Sequence, residues 1–274
     1  MKIVYLGTGG AEGVPSIYCH CEVCQRALKR GGRELRSRAG FLIDDELLID
    51  FSPDTYLHCV KYKIDMSAIK NMFITHSHED HFYLPDLISR LSSPAVTRTV
   101  ETMTVYGNET VKAEFDQAAA QFCNLTASCV KISAGETVKT DGFTITAFKT
   151  THVASEESLI YLIERNGKKY FHILDSSYPD EKVFSYFAEN KIRLDVVSAD
   201  CTFGNMRQEF GGHMNIWQNV KLKARLEELG AADENTKYVL THVSHYCKDT
   251  FASLNKTAKK YGMTVSYDGM KIEI

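Results

Sequence analysis

The sequence predicts a mixed α/β fold, and three observations carry that expectation. Short runs rich in β-branched and aromatic residues recur along the chain and end in Gly, Asp or His. Longer segments with helical spacing lie between many of them. His and Asp stand repeatedly at the C-terminal ends of the strand-like runs, where side chains carried by rigid strands can converge on one edge of a sheet.

In chain order the strand-like runs are "KIVYLG", "LLID", "NMFITH", "FTITAFKTTH", "SLIYLIE", "KYFHILD", "LDVVSAD" and "KYVLTH". The helical patterns are "YLPDLISRL", "ETVKAEFDQAAAQF" and "NIWQNVKLKARLEELG". In the last of these Ile216, Val220 and Ala224 fall on one face, Asn215 with Gln218 forms a capping-box pattern, and Gly230 supplies a stop. No repeat of solenoid length is present, and no Pro/Gly/Ser-rich linker, low-complexity tract or block of like charge interrupts the 274 residues, so a single domain over 1–274 is expected.

Composition narrows the function classes. Eight cysteines are too sparse for a disulfide scaffold, and "MKIVYLGTGG" lacks the basic and apolar regions of a secretion signal, so a reducing, cytoplasmic setting is expected. No apolar run approaches the roughly 18 to 20 residues of a membrane span, so no membrane partner is expected. A net charge of -3 and a pI near 6.4 give no general attraction to nucleic acid or anionic lipid.

After "NMFIT" comes "HSHEDH", which crowds His76, His78, Asp80 and His81 into six residues. His76 and His78 can point the same way from an extended segment, while Asp80 and His81 can swing toward a second ion as the chain turns into a helix. His152, Asp175 and His242, at three other strand ends, complete two metal sites sharing one mouth. Asp50 closes "LLID" and either orients a ligand imidazole or caps a turn. A separate cluster, "CHCEVC", places Cys19, Cys21 and Cys24 within six residues, and a tetrahedral zinc there requires a fourth partner.

These motifs resemble the metallo-β-lactamase fold superfamily over nearly the whole chain. Within it, "GTGGAEGVPSIYCHCEVC", "THSHEDH", "LTHVSH" and the terminal "YDGM" are similar to the cyclic phosphodiesterases of the carbon-phosphorus lyase pathway. The resemblance implies a four-layer αββα sandwich with the metals at the sheet edge. It implies that His76, His78 and His152 hold one divalent ion, that Asp80, His81 and His242 hold the other, and that Asp175 bridges them, with zinc or manganese as the catalytic pair. Asp200, one strand later than the resemblance expects for the bridge, is placed behind the ligands or in the core. The same resemblance supplies His245 as the fourth ligand of a structural zinc with Cys19, Cys21 and Cys24, ahead of Cys247; His20 is too close in sequence to its neighbours. It also implies that His213, in "GGHMN", is a catalytic histidine outside the ligand set, in a loop that two glycines leave mobile. The remaining Cys59, Cys123, Cys129 and Cys201 read as small buried apolar groups.

Two competing patterns are set aside. Gly7-x-Gly9 after the first strand is followed by Glu12 and Pro15 rather than by a third glycine and a helix, which excludes a dinucleotide fingerprint; the glycines are expected to form a tight turn beneath the metal site. Nucleases that trim the 3′ end of transfer RNA share the dinuclear motifs and commonly carry a long inserted arm, but the 22 residues between His152 and Asp175 are filled by two strand-like runs. The expected activity is therefore hydrolysis of a small or cyclic phosphodiester, with Asp80 and His213 at the catalytic centre, a small-molecule partner rather than nucleic acid, and room for a homodimer. An iron-dependent oxidoreductase on the same fold and a non-catalytic metal-binding module are the alternatives.

Overall fold

The computed structural model describes residues 1–92, 102–122 and 126–274. The elements run β1 (Lys2–Gly7), α1 (Glu22–Arg30), β2 (Gly40–Ile43), β3 (Leu47–Ile49), α2 (Thr55–Tyr62), β4 (Asn71–Phe73), α3 (Leu84–Ser92), β5 (Met103–Gly107), α4 (Glu109–Ala119), β6 (Ala127–Lys131) and β7 (Thr137–Thr140). They continue with β8 (Phe143–Lys149), β9 (Leu159–Arg165), β10 (Lys168–Ile173), α5 (Glu181–Glu189), β11 (Val196–Asp200), α6 (Ile216–Glu228), β12 (Lys237–Thr241), α7 (Phe251–Lys260), β13 (Met263–Val265) and β14 (Met270–Glu273).

Two sheets form, ordered β14-β1-β2-β3-β4-β5-β6 and β13-β12-β11-β10-β9-β8-β7. Strand alternation decides how they pack, because successive side chains point to opposite faces. In β9, Leu159, Tyr161 and Ile163 join Tyr5, Phe41, Ile49 and Phe73 of the first sheet in a core between the sheets. Ile160 and Leu162 point the other way, against Val183, Phe184 and Phe187 of α5 and Leu222 and Leu226 of α6. On the far side, Leu42, Leu48, Met72 and Val105 pack against Leu87 of α3 and Val111 and Phe115 of α4. The result is the four-layer αββα sandwich that the motifs imply. Among the described residues no helix is long and apolar enough to cross a membrane.

Helix α6 begins where expected: the Asn215 side chain accepts from the Gln218 N–H, and the Gln218 side chain accepts from Asn215. Its buried face is rotated from the expected one. Ile216, Asn219, Leu222 and Leu226 are buried, Val220 is half-buried and Ala224 is exposed. The cause is Asn219, whose amide donates to the Asp200 carbonyl at 2.7 Å and so turns a polar residue inward. The lone thiols also differ in part. Cys129 and Cys201 are buried, Cys59 is only half-buried because α2 turns Thr55 and His58 inward instead, and Cys123 lies outside the described residues.

Candidate metal centre

The strand ends deliver the site. Immediately after β3, just beyond β10 and immediately after β12, Asp50, Asp175 and His242 each adopt left-handed backbone, with φ of 61°, 42° and 58°. Such conformations are uncommon for residues other than glycine and gather where a side chain is held for a purpose. Between β4 and α3 the "HSHEDH" loop is braced from a distance. The Ser77 hydroxyl donates to Glu156 Oε1 at 2.9 Å, and the Asn108 amide holds the other oxygen at 2.7 Å.

The two ligand clusters expected from the sequence meet at one carboxylate, and Asp175 and His242 also fall with Asp200 and His213 in a third grouping of ligand atoms. His76, His78 and His152 bring a nitrogen each to one cluster, with His78 Nδ1 3.0 Å from His76 Nε2 and 3.4 Å from His152 Nε2. Asp80, His81, Asp175 and His242 form the second. Asp175 stands between them: Oδ2 is 2.8 Å from His81 Nε2, 3.5 Å from His76 Nε2 and 3.6 Å from His152 Nε2, while Oδ1 is 3.0 Å from His242 Nε2. The seven side chains expected to share one mouth are thus brought together.

The surrounding atoms fix which ring nitrogen faces inward. Asp50 Oδ2 accepts from His81 Nδ1 at 2.8 Å, and Oδ1 accepts from the Thr75 N–H at 2.8 Å, so Asp50 orients an imidazole rather than only capping a turn. His152 Nδ1 donates to the Gly212 carbonyl at 3.1 Å. Thr202 Oγ1 lies 2.8 Å from His242 Nδ1. Asp200 is fully buried behind His242 and His213, accepting from the N–H groups of Thr202 and Met214 at 2.9 and 3.0 Å and from His213 Nδ1 at 2.9 Å. Burial alone would lower the His213 imidazole, but the Asp200 charge and hydrogen bond, with Asp175 beyond, raise it to about 9.

These residues suit divalent cations. His81 Nε2, His242 Nε2 and Asp175 Oδ1 are buried and crowded together, yet none has a hydrogen-bond partner of acceptable geometry. Buried polar atoms left in that state are costly unless a third party shares them. Burial opposes a charged His81, but Asp80, Asp175 and Asp50 outweigh it and raise that imidazole well above the usual histidine value, the mark of an anionic pocket.

Across the loop after β12 the thiol cluster closes. Cys19, Cys21, Cys24 and His245 form one group, with His245 Nδ1 3.4 Å from Cys19 Sγ and 3.6 Å from Cys21 Sγ. His20 is exposed and outside it, and the rival Cys247 is buried elsewhere with its thiol donating to the Ser244 carbonyl. Burial works to raise Cys21, but hydrogen bonds from Cys24, His245 and Cys19 pull it down to about 6, while burial and the neighbouring thiols push Cys24 up to about 12. Full ionisation of three adjacent thiols is uphill unless a cation shares them, as a zinc in a closed four-ligand shell does.

The glycines serve close approach as well as the turn expected of them, which runs from Gly10 to Gly13. A Cβ on Gly7 would lie 1.9 Å from the Arg38 carbonyl oxygen, and one on Gly10 would lie 3.4 Å from His242 Cε1, so close approach is what these positions require. Gly212 is tied rather than loose. Its N–H donates to Ser177 Oγ at 2.8 Å, its φ is 86°, and a Cβ there would press on His152 Nδ1 at 3.2 Å. Thr202, Glu156 and Ser244 escaped the sequence reading, and Glu12 entered it only as the residue that breaks a glycine pattern, since nothing local distinguishes them from ordinary polar residues.

Both clusters open into a cleft of about 310 Å³ lined by His78, Asp80, His152, Asp175, His213 and His242, with Glu12, Phe203 and Tyr246 on its walls. Comparison with known proteins bears on the fold and the superfamily. Ribonuclease Z of Methanosarcina mazei is 29% identical over 173 residues, 61% of this chain and 50% of that protein, so the chain spans about half the length of that relative. Zn²⁺-bound PqqB from Methylobacterium extorquens superposes with a TM-score of 0.74 at 18% identity over 100% of both chains. A diphosphatase from the PhnP family superposes with a TM-score of 0.72 at 22% identity over 100% of this chain and 97% of the other. At those identities the two structures speak for the fold. The family described as Beta-lactamase superfamily domain matches residues 46–243, which span the histidine loop and the ends of β8, β10 and β12, and the chain belongs to that superfamily.

Proposed function

We propose that the chain is a metal-dependent hydrolase of a small or cyclic phosphodiester. The observation that carries the reading is Asp175, whose two oxygens face different neighbours between two ligand clusters. His76, His78 and His152 would hold one divalent cation, zinc or manganese, and Asp80, His81 and His242 a second, with Asp175 shared. Two such cations, when bound, polarise phosphoryl oxygens and ease deprotonation of water.

The chain's own groups supply orientation and a proton. Asp50, Gly212 and Thr202 fix His81, His152 and His242 with their inward nitrogens toward the mouth. His213 shares that cleft and is held through Nδ1 by Asp200, which favours its charged form and leaves Nε2 to protonate a departing alkoxide. Cys19, Cys21, Cys24 and His245 would hold a structural zinc that ties the β1–α1 loop to the segment carrying His242.

The ribonuclease Z relatives support a second reading, cleavage of an RNA phosphodiester. The 22 residues between His152 and Asp175 hold little beyond β9 and β10, which leaves no substrate-gripping arm in that segment and favours the small substrate. The test is elemental analysis of protein expressed with metals in excess, paired with assays on bis(p-nitrophenyl) phosphate, a cyclic phosphodiester and a precursor transfer RNA. About three ions per chain and turnover of the small diesters are expected. One ion or none, or turnover of the RNA alone, would overturn the reading.

A further inference from the structure

Glu12 lines the cleft and belongs to neither ligand cluster. Its Oε1 accepts from the Ser244 hydroxyl and lies 3.6 Å from His245 Nε2. Oε2 sits 3.5 Å from the point a Cβ on Gly10 would occupy, and that point is 3.4 Å from His242 Cε1. The carboxylate is therefore fixed one glycine away from an imidazole proposed to hold a cation. Among the described residues it pairs with no lysine or arginine, and none of either lines the cleft. The other walls are His, Asp, Thr, Ser, Gly, Ala and the rings of Phe203 and Tyr246.

Sites that take several phosphates generally present fixed guanidinium or ammonium groups to them. Here the fixed wall charge has the opposite sign. A substrate with one negative charge at the scissile phosphoryl group meets the proposed cations and His213. A further phosphate beside it meets Glu12 and no lysine or arginine in the cleft lining; Arg36, Arg38 and Lys61 line a separate cavity that Glu12 shares, with Arg38 paired to Asp54. Specificity is a difference of affinities, and a repulsive element serves it as well as an attractive one.

We propose that Glu12 sets the charge selectivity of this cleft, admitting a singly charged diester and disfavouring substrates that carry a second phosphate near the scissile one. The proposal rests on the phosphodiesterase reading and narrows it. Two like charges ~7 Å apart, in surroundings between bulk water and a protein surface, repel enough for about a three- to tenfold discrimination at low salt.

The experiment uses the metal-loaded full chain and a matched pair of esters: the p-nitrophenyl ester of thymidine 5′-phosphate, and the same compound bearing a 3′-phosphate. Glu12→Gln keeps the shape and an acceptor for Ser244 but removes the charge, whereas Glu12→Asp retains it. The ratio of kcat/KM values, singly charged ester over phosphorylated ester, should fall about three- to tenfold in Glu12→Gln because the phosphorylated ester improves. It should stay close to wild type in Glu12→Asp, and the difference between variants should shrink at about 0.5 M salt, where the screening length is only a few ångströms. A ratio unchanged by Glu12→Gln at low salt, or equal losses on both esters, would overturn the proposal. Calorimetric binding of the corresponding phosphonates, in which a methylene replaces the ester oxygen of the leaving group and the phosphoryl charge is kept, reads the same ratio without turnover. A wild-type chain that binds both analogues but cleaves neither ester would therefore overturn the phosphodiesterase reading, while an unaltered binding ratio in Glu12→Gln would overturn charge selection.

Discussion

Replacing Asp50 by Asn should weaken one cluster through a residue that is not itself a proposed ligand. Asp50 is buried, with Oδ2 accepting from His81 Nδ1 at 2.8 Å and Oδ1 accepting from the Thr75 N–H at 2.8 Å. Asparagine tolerates the left-handed backbone at this position, where φ is 61°, so the main-chain path should survive. Its amide, however, has one acceptor for two donors. If the oxygen stays on Thr75, the NH₂ group faces His81 Nδ1, and the ring must move its proton to Nε2 to avoid opposing donors. That tautomer removes the lone pair that would face a cation beside Asp80 and Asp175. Loss of an orienting partner of this kind lowers metal affinity about 10- to 100-fold, or about 1.4 to 2.7 kcal/mol. Competition titration of the zinc-loaded chain against a chelator should show one cleft ion released at correspondingly lower chelator activity, with the thiol-bound ion unmoved. Wild-type release of every ion from Asp50→Asn, with wild-type turnover, would refute the orienting role.

Three further outcomes are expected. His213→Ala should cost about 10²- to 10⁴-fold on an alkyl or ribose phosphodiester and much less on an aryl diester, whose leaving group departs unprotonated; parallel rates and metal content check this, and equal losses or a lost ion would point to a ligand or structural role. Cys19→Ser should lose one ion and melt at lower temperature, because an incomplete shell forfeits metal-linked folding energy; full metal content with an unchanged Tm would exclude a zinc site. Burial, with a smaller push from His81, lowers the buried His172 imidazole from 6.5 to about 3 in the folded chain. Between those values the unfolded chain takes a proton that the folded chain refuses, so this residue's term falls with pH from about 6.5 downward and is level above it. The loss should reach about 2 kcal/mol at pH 5 relative to pH 8. Denaturant titrations of wild type and His172→Asn across that range should converge toward acid pH, and curves that stay parallel would rule the effect out.

The strands β8 to β12 were legible because both faces of their sheet are covered, so they read as dense runs such as "SLIYLIE". Several of the segments that gave no signal are shorter or less enclosed, although β2, buried throughout, and β5, as long as β12, gave none either. β7, at a sheet edge, alternates exposed and half-buried residues over "TVKT", and β13 and β14 are three and four residues long. Helix α5 has Val183, Phe184 and Phe187 on its buried side, the same residue types that mark strands. At the site, the proposed ligands stood out because they cluster in one loop or end strands. Their supports did not: Glu156 braces Ser77 and Thr202 braces His242 across separations of 79 and 40 residues, which no local pattern encodes.

The left-handed backbone at Asp50, Asp175 and His242 bears on the order in which the molecule matures. A main chain held in a disfavoured basin at three strand ends, each at a cost on the order of 1 kcal/mol or more, is maintained by the packed sheets around it. The cleft's carboxylate and imidazoles are therefore in position once the sandwich has formed, and an arriving cation has little left to organise. The thiol loop is built otherwise. It carries Ile17 at 74% and Tyr18 at 94% exposure beside Cys19, and its own packing is confined to the small cluster of Val14, Val23 and Ala27 with Cys21. Loading should come after folding in the cleft, while at the thiols loading and folding are one event.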